Sequence, residues 1–286
     1  MFTLVPMLVQ AQFPIIGLEK VKEIKSAKMI VGLTDDEDLN ASLRVAVDSF
    51  WTFNRVVEYL PLEEAKKKAK EDDKLMVLSI GSTTSKSLTH DRVQYSYRYV
   101  SKGKTVEISR GKKAILKQHI PAYGKDEAVS AEAIGFGLAA MQHICSTMVR
   151  KKLKNSLKLK STLKESSTRI RSKTLYIPEG WLSEKLDKSA VKDLYGGKVK
   201  VVSYEEWRDA ILTKQKGIAY TMVVPVPIGG DYVYVHYLMD AEKGRLYAAL
   251  QKTGVKVQGI NLSKSNTGYI TKKNMSLYGK AREGDW

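Results

Sequence analysis

Positive charge is the one chemical resource this chain gathers into particular places. It holds 48 Lys and Arg against 31 Asp and Glu, a formal net charge of +17. Arg150 to Lys173 carries ten cations against Glu165 alone, and Arg98 to Lys117 carries seven against Glu107. Lys256 to Trp286 carries six against Glu283 and Asp285, which leaves the remainder of the chain slightly acidic. Within the densest stretch, Arg150, Lys151, Lys152, Lys154, Lys158 and Lys160 are the predicted binding residues for an anionic partner. Such a surface holds polymeric phosphate or carboxylate by releasing counterions, so its affinity falls steeply with salt. Leu153 and Leu157, four apart, predict a helix here with a narrow apolar seam and a cationic exterior. For any one stretch the alternative is a solvated face that keeps the protein soluble.

Motifs that carry covalent or cofactor chemistry are approached but not completed. Gly135, Gly137 and Ala140 give G-x-G-x-x-A, yet the dinucleotide fingerprint requires a strand before its first glycine. Residues 126–134 read as helix, so these glycines are predicted to permit close packing. Gly103-Lys104-Thr105 resembles the end of a phosphate-binding loop, but Arg98 occupies the upstream glycine position and the tripeptide falls in a predicted hairpin turn. Asp36, Asp38 and Asn40 imitate a calcium loop, with Ala41 and Val47 where the turn glycine and bidentate glutamate belong. His90, His119, His143 and His236 show no zinc spacing. His143 and Cys145, two apart on a helix, point about 200° from one another. Cys145 is the only cysteine, which excludes an intramolecular disulfide. Thr89-His90-Asp91 lacks a partnered nucleophile. No catalytic, cofactor-binding or metal-binding residue is therefore predicted, and no cofactor.

The elements that would carry these residues are written twice. Strands at 29–33, 56–60 and 75–80 alternate with helices begun by a Thr34/Glu37 capping box and by Pro61 with Glu63 and Glu64. A Ser/Thr-rich loop then leads to a hairpin, 93–100 with 105–109, around residues 101–103. The second series has strands at 174–177, 199–202 and 217–224. Its helices are 186–195, stopped by Gly196-Gly197, and one begun by a Ser203/Glu206 capping box. A hairpin of 232–239 and 245–250 follows. Spacings of this size suit βαβ units. The predicted class is α/β (or α+β): two tandem βαβαβ-plus-hairpin units joined by a long helical connector. The expected boundaries are 12–125, connector 126–172, 173–255, and a basic C-terminal tail, 256–286.

Residues 133–149 are too polar and too short to span a bilayer, so no transmembrane anchor is expected. The apolar run Phe2 to Val9, with Val9 and Ala11 before Gln12, fits a signal-peptide remnant over 1–11 cleaved after Ala11. This predicts a periplasmic or secreted protein; retention of the segment would make it cytoplasmic. The Ala11-Gln12 junction and the paired series 28–109 and 173–250 resemble exported proteins of bacteroidete-type bacteria. That resemblance implies a periplasmic or surface role and carries over no site residue.

Three functions stay open at this stage. The first is an exported, non-enzymatic binding or interaction protein that engages an anionic polymer or acidic protein. The second is a cytoplasmic nucleic-acid binder that stacks bases on the alternating rows Tyr95, Tyr97, Tyr99 and Tyr232, Tyr234, His236. The third is an enzyme with its site between the units.

Overall fold

In a computed structural model, residues 13–91, 94–111, 113–122, 128–251 and 268–286 are described. The predicted leader, 1–11, lies outside them, as do the side chains of Tyr95, Tyr97 and Tyr99. The chain divides after Leu159 into two compact units.

The first unit opens with α1 (Leu18–Ser26) and β1 (Lys28–Leu33), followed by α2 (Glu37–Phe50), β2 (Val56–Pro61) and α3 (Leu62–Glu71). The strands β3 (Leu75–Asp91), β4 (Gln94–Arg110) and β5 (Lys113–Ile120) follow, and α4 (Ala131–Lys151) closes the unit. The sheet runs β2-β1-β3-β4-β5, parallel across its first three strands and antiparallel across the rest. Met29, Ile30 and Val31 are all fully buried, as a strand covered on both faces requires. Ile30, Leu75 and Val77 pack on Ala65 and Ala69 of α3. The opposite face takes α4, where the two glycines sit. A Cβ on Gly135 would come 2.6 Å from the Phe50 ring, and one on Gly137 would come 2.5 Å from Ile120 and 3.0 Å from Val106. The glycines are there for close helix packing, as expected from the sequence. Gly137→Leu is therefore expected to destabilise the chain by about 2 kcal/mol in urea unfolding, overpacking outweighing the gain in helix propensity.

The second unit repeats this order. α5 (Leu159–Ser167) and a 3-10 turn (Thr168–Ser172) precede β6 (Thr174–Pro178), α6 (Lys188–Tyr195), β7 (Val199–Val202) and α7 (Tyr204–Leu212). Strands β8 (Ile218–Ile228), β9 (Asp231–Asp240) and β10 (Leu246–Gln251) lead to α8 (Lys272–Glu283). The sheet, β10-β9-β8-β6-β7, is the first one read from its other edge, with the same strand directions. Leu175, Ile177, Ala219 and Leu238 pack with residues of α6 and α8, while Trp207 of α7 covers the other face against Tyr220. Ser203 accepts the Glu206 N–H at 3.1 Å, and Gly196 ends α6 at φ 65°. Pro225 and Pro227 are accommodated inside β8 because β6 pairs with it only as far as Tyr220.

Several boundaries differ from those read in the sequence. β4 runs unbroken past Ser101 and Gly103, which face Ser85 and Thr83 of β3, so this is strand and not a hairpin turn. The Ser/Thr-rich stretch expected to be a loop is the outer half of β3, because threonine suits a strand as well as a turn. The turn comes instead at Gly111 (φ 57°), and β5 follows it. The N-cap of α2 is Asp36, accepting the Leu39 N–H at 3.0 Å, with Thr34 two residues before that cap. The segment 126–172 does not act as one connector: α4 belongs to the first unit, and 160–172 to the second. The C-terminal stretch is not a tail either, since Met275 and Tyr278 of α8 are fully buried. Among the described residues no helix is long and apolar enough to cross a membrane.

Candidate anion-binding site

The six cations singled out from the sequence are all exposed. Arg150 and Lys151 end α4, and Lys152 caps it in the left-handed region at φ 51°. The helix therefore stops before Leu153 and Leu157, and the predicted apolar seam does not form on it. The buried anchors are Leu159 and Leu163 instead, and Leu157 is half exposed. Lys154 lies in the following loop, where its carbonyl accepts the Leu18 N–H at 3.0 Å. Lys158 ends a short 3-10 turn, and Lys160 in α5 lies 5.7 Å over the Trp286 ring.

A more organised group of cations lies at one end of the second sheet. Ile170 is fully buried and pins the 3-10 turn, so Arg169 and Arg171 on either side of it are exposed. Lys173 leads into β6. Across from it, β9 ends at Asp240, and a tight turn brings Lys243 and Arg245 back toward β10. In that turn the Asp240 N–H donates to the Arg245 carbonyl at 2.8 Å, and Gly244 takes φ 58°. These residues line an open cavity of about 450 Å³, together with Thr168, Ser172, Asp240 and Tyr247.

Asp240 lines this cavity, and both of its carboxylate oxygens are engaged. Its Oδ2 accepts the Tyr247 hydroxyl at 2.6 Å and lies 3.4 Å from Lys173 Nζ, while Oδ1 accepts the Lys243 N–H at 3.1 Å. Burial and the Asp240 carboxylate raise the Tyr247 pKa well above the usual range, so the hydroxyl stays a donor. Glu242 also meets Lys173, and Glu283 meets Arg171. Arg169, Lys243 and Arg245 have no carboxylate partner among the described residues. Three cations without a carboxylate partner thus surround one cavity, and because Asp240 and Glu242 share the Lys173 ammonium the group's net charge is about +2. A cleft of this kind raises the local concentration of anions.

Strand register gives the corresponding place in the first unit. Lys28 opposite Leu75 corresponds to Thr174 opposite Ile218, which puts Ala27 where Lys173 stands and Arg110 where Asp240 stands. There Arg110 lies 3.7 Å from Glu23 of α1. Base and acid have exchanged elements, so the buried acceptor that organises the second unit's cavity is replaced by a cation. No protein-family model, curated protein or solved structure matches this chain.

Residues that the sequence placed near other chemistry have structural partners. Cys145 is fully buried, and burial pushes its thiol up to about 12, so it is no thiolate nucleophile. His143 lies 3.5 Å from the Thr147 hydroxyl. Among the described residues no group of three or more His, Cys, Asp or Glu could hold a metal ion. His236 proves to be a core residue: its Nδ1 is 2.6 Å from the Tyr278 hydroxyl, which also takes the Thr221 hydroxyl at 3.2 Å. Asn274 Nδ2 stands 3.4 Å from His236 Nε2 and ties this network to the start of α8.

Burial lowers the His236 pKa to about 4, and burial, then Lys117, lowers His119 to about 4 as well. A histidine kept neutral in the fold contributes stability above its unfolded pKa of about 6.5 and loses it as pH falls toward the folded value. Each histidine is expected to remove about 2–3 kcal/mol between pH 7 and pH 4.5. Urea unfolding across that window tests this, and His236→Gln should give a flatter profile than the parent chain.

Proposed function

We propose that this chain is an exported, non-catalytic binding protein that engages an anionic partner through the cavity of its second unit. The observation that carries the reading is the trio Arg169, Lys243 and Arg245, unpaired around a cavity whose acidic residue is engaged by Tyr247, Lys173 and the turn. The exposed cations 150–160 add a diffuse field that attracts the same partner. The common strand order and register of the two sheets support descent from one duplicated unit, with the ligand site kept in only one copy. Export rests on the apolar run and the Ala11-Gln12 junction, and a mature N-terminus at Gln12 is the expected result of N-terminal sequencing. Tyr234 packs partly buried against the second unit's core, which argues against a base-stacking platform there.

Retention on phosphocellulose over a salt gradient tests the site. Neutralising Arg169, Lys243 and Arg245 to serine is expected to move elution to markedly lower salt. Neutralising Lys151, Lys152, Lys154 and Lys158 should move it less, although it removes more charge. Equal shifts per charge removed would show that the whole surface binds and the cavity does not.

A further inference from the structure

The cavity's chemistry narrows the ligand beyond "anionic", and this step rests on reading it as an anion site. We propose that it is a phosphoryl-group site: it takes the terminal phosphate of a phosphomonoester, gripped by Arg169, Arg245 and Lys243. Charge comes first. A phosphomonoester carries close to two negative charges at neutral pH and three terminal oxygens. Arg169, Lys173, Lys243 and Arg245 set against Asp240 and Glu242 leave a net charge of about +2, which a dianion answers and a single carboxylate or sulfate ester answers only by half.

Donor geometry points the same way. Arg169 rises from the 3-10 turn and Arg245 from the start of β10, so the two forks approach from separate segments and can each take different oxygens. Guanidinium groups donate paired N–H bonds to phosphate, whose three terminal oxygens give two forks in different planes separate acceptors, where a carboxylate has two oxygens in one plane. Lys243 supplies a point charge, and its backbone is fixed by the bond from its N–H to Asp240 Oδ1 at 3.1 Å. Asp240 is held by Tyr247, Lys173 and the turn, and Glu242 shares the same Lys173 ammonium, so the three remaining cations outnumber the acidic charge beside them. A volume of about 450 Å³ exceeds a phosphate alone and lies within the range of small-molecule sites. The cavity is open, so the organic part of the ligand extends toward solvent.

Calorimetric titration of the full chain with phenyl phosphate, phenyl sulfate and benzoate separates the possibilities, since the three share one organic body. Phenyl phosphate is expected to bind at least about tenfold more tightly than the other two at pH 7.5. Its advantage should shrink to about threefold at pH 5.5, where the phosphate has regained a proton. Arg169→Lys and Arg245→Lys, which keep charge but lose the fork, should each weaken phenyl phosphate about tenfold and leave retention on a sulfonate cation exchanger nearly unchanged. Circular dichroism confirms that these variants are folded, and Lys67→Ser, on the exposed face of α3 in the first unit, is the control with unaltered binding. Equal affinity for all three probes would overturn the phosphoryl assignment while leaving a general anion site. Failure of all three to bind, with retention still lost in the serine variants, would overturn it in favour of an extended polyanion. Retention unaffected by the serine variants would overturn the anion-site reading itself.

Discussion

Asp240→Ala is expected to lower the unfolding free energy of the chain by about 3 kcal/mol, the cost of stripping a buried charge of its partner. Asp240 is 1% exposed, and the Lys173 side chain beside it is 14% exposed. Removing the carboxylate strands that ammonium and leaves the buried Tyr247 hydroxyl without its acceptor. Glu242, 3.6 Å from Lys173 and more exposed, can take up part of the charge. For that reason the loss should lie at the lower end of the range for broken buried pairs. Urea unfolding at pH 7 reads the effect directly. Replacing both partners, as in Lys173→Met with Asp240→Leu, should recover part of the loss, because the stranded cation is gone. A loss below about 1 kcal/mol for Asp240→Ala would mean that the pair is solvated and that the cavity lining is not held as described.

Trp207→Ala should cost more, about 4 kcal/mol. Trp207 is fully buried, meets Trp181 with ring centroids 4.9 Å apart and Tyr220 at 6.2 Å, and its indole N–H donates to the Thr221 carbonyl at 3.2 Å. Truncation would remove the contact by which α7 sits on β6 and β8, and would leave a void too large for the neighbouring rings to fill without leaving their rotamers. Trp207→Phe keeps much of the area but abandons the Thr221 carbonyl, so an intermediate loss of about 2 kcal/mol is expected. The midpoint of urea unfolding orders the three proteins, and similar midpoints for all of them would sink this account of the face.

The Trp207 helix was readable in the sequence because its start is local chemistry: Ser203 sits three residues before the Glu206 N–H that it caps. The same holds for the stop of α6 at Gly196, the opening of α3 after Pro61, and the strands whose runs of Val, Ile and Leu lie buried on both faces. Periodicity identified the close-packing glycines of α4 as well. Where local signals are ambiguous, the tertiary partner decides. Serine and threonine in β3 suit loops and strands alike, so their pairing with β4 was settled by the neighbouring strand. Net charge drew attention from Met275 and Tyr278, whose spacing marks a buried helix face inside a stretch taken for a tail.

The candidate site divides along the same line. Sequence alone determined that cations are concentrated in 150–173 and that two α/β series frame that stretch, because charge and short-range periodicity are properties of consecutive residues. It did not determine which cations act together. Arg169 meets Lys243 and Arg245 around one cavity only because β6 pairs beside β8, and β9 returns its end to the same edge of the sheet. Whether a cation is free also depends on carboxylates far away in sequence. Glu283 takes Arg171 and Asp240 takes Lys173, while Arg169 is left unpaired among the described residues. Electrostatic compensation acts through distance in space, so the tertiary fold converted an evenly basic stretch into a site with a defined charge.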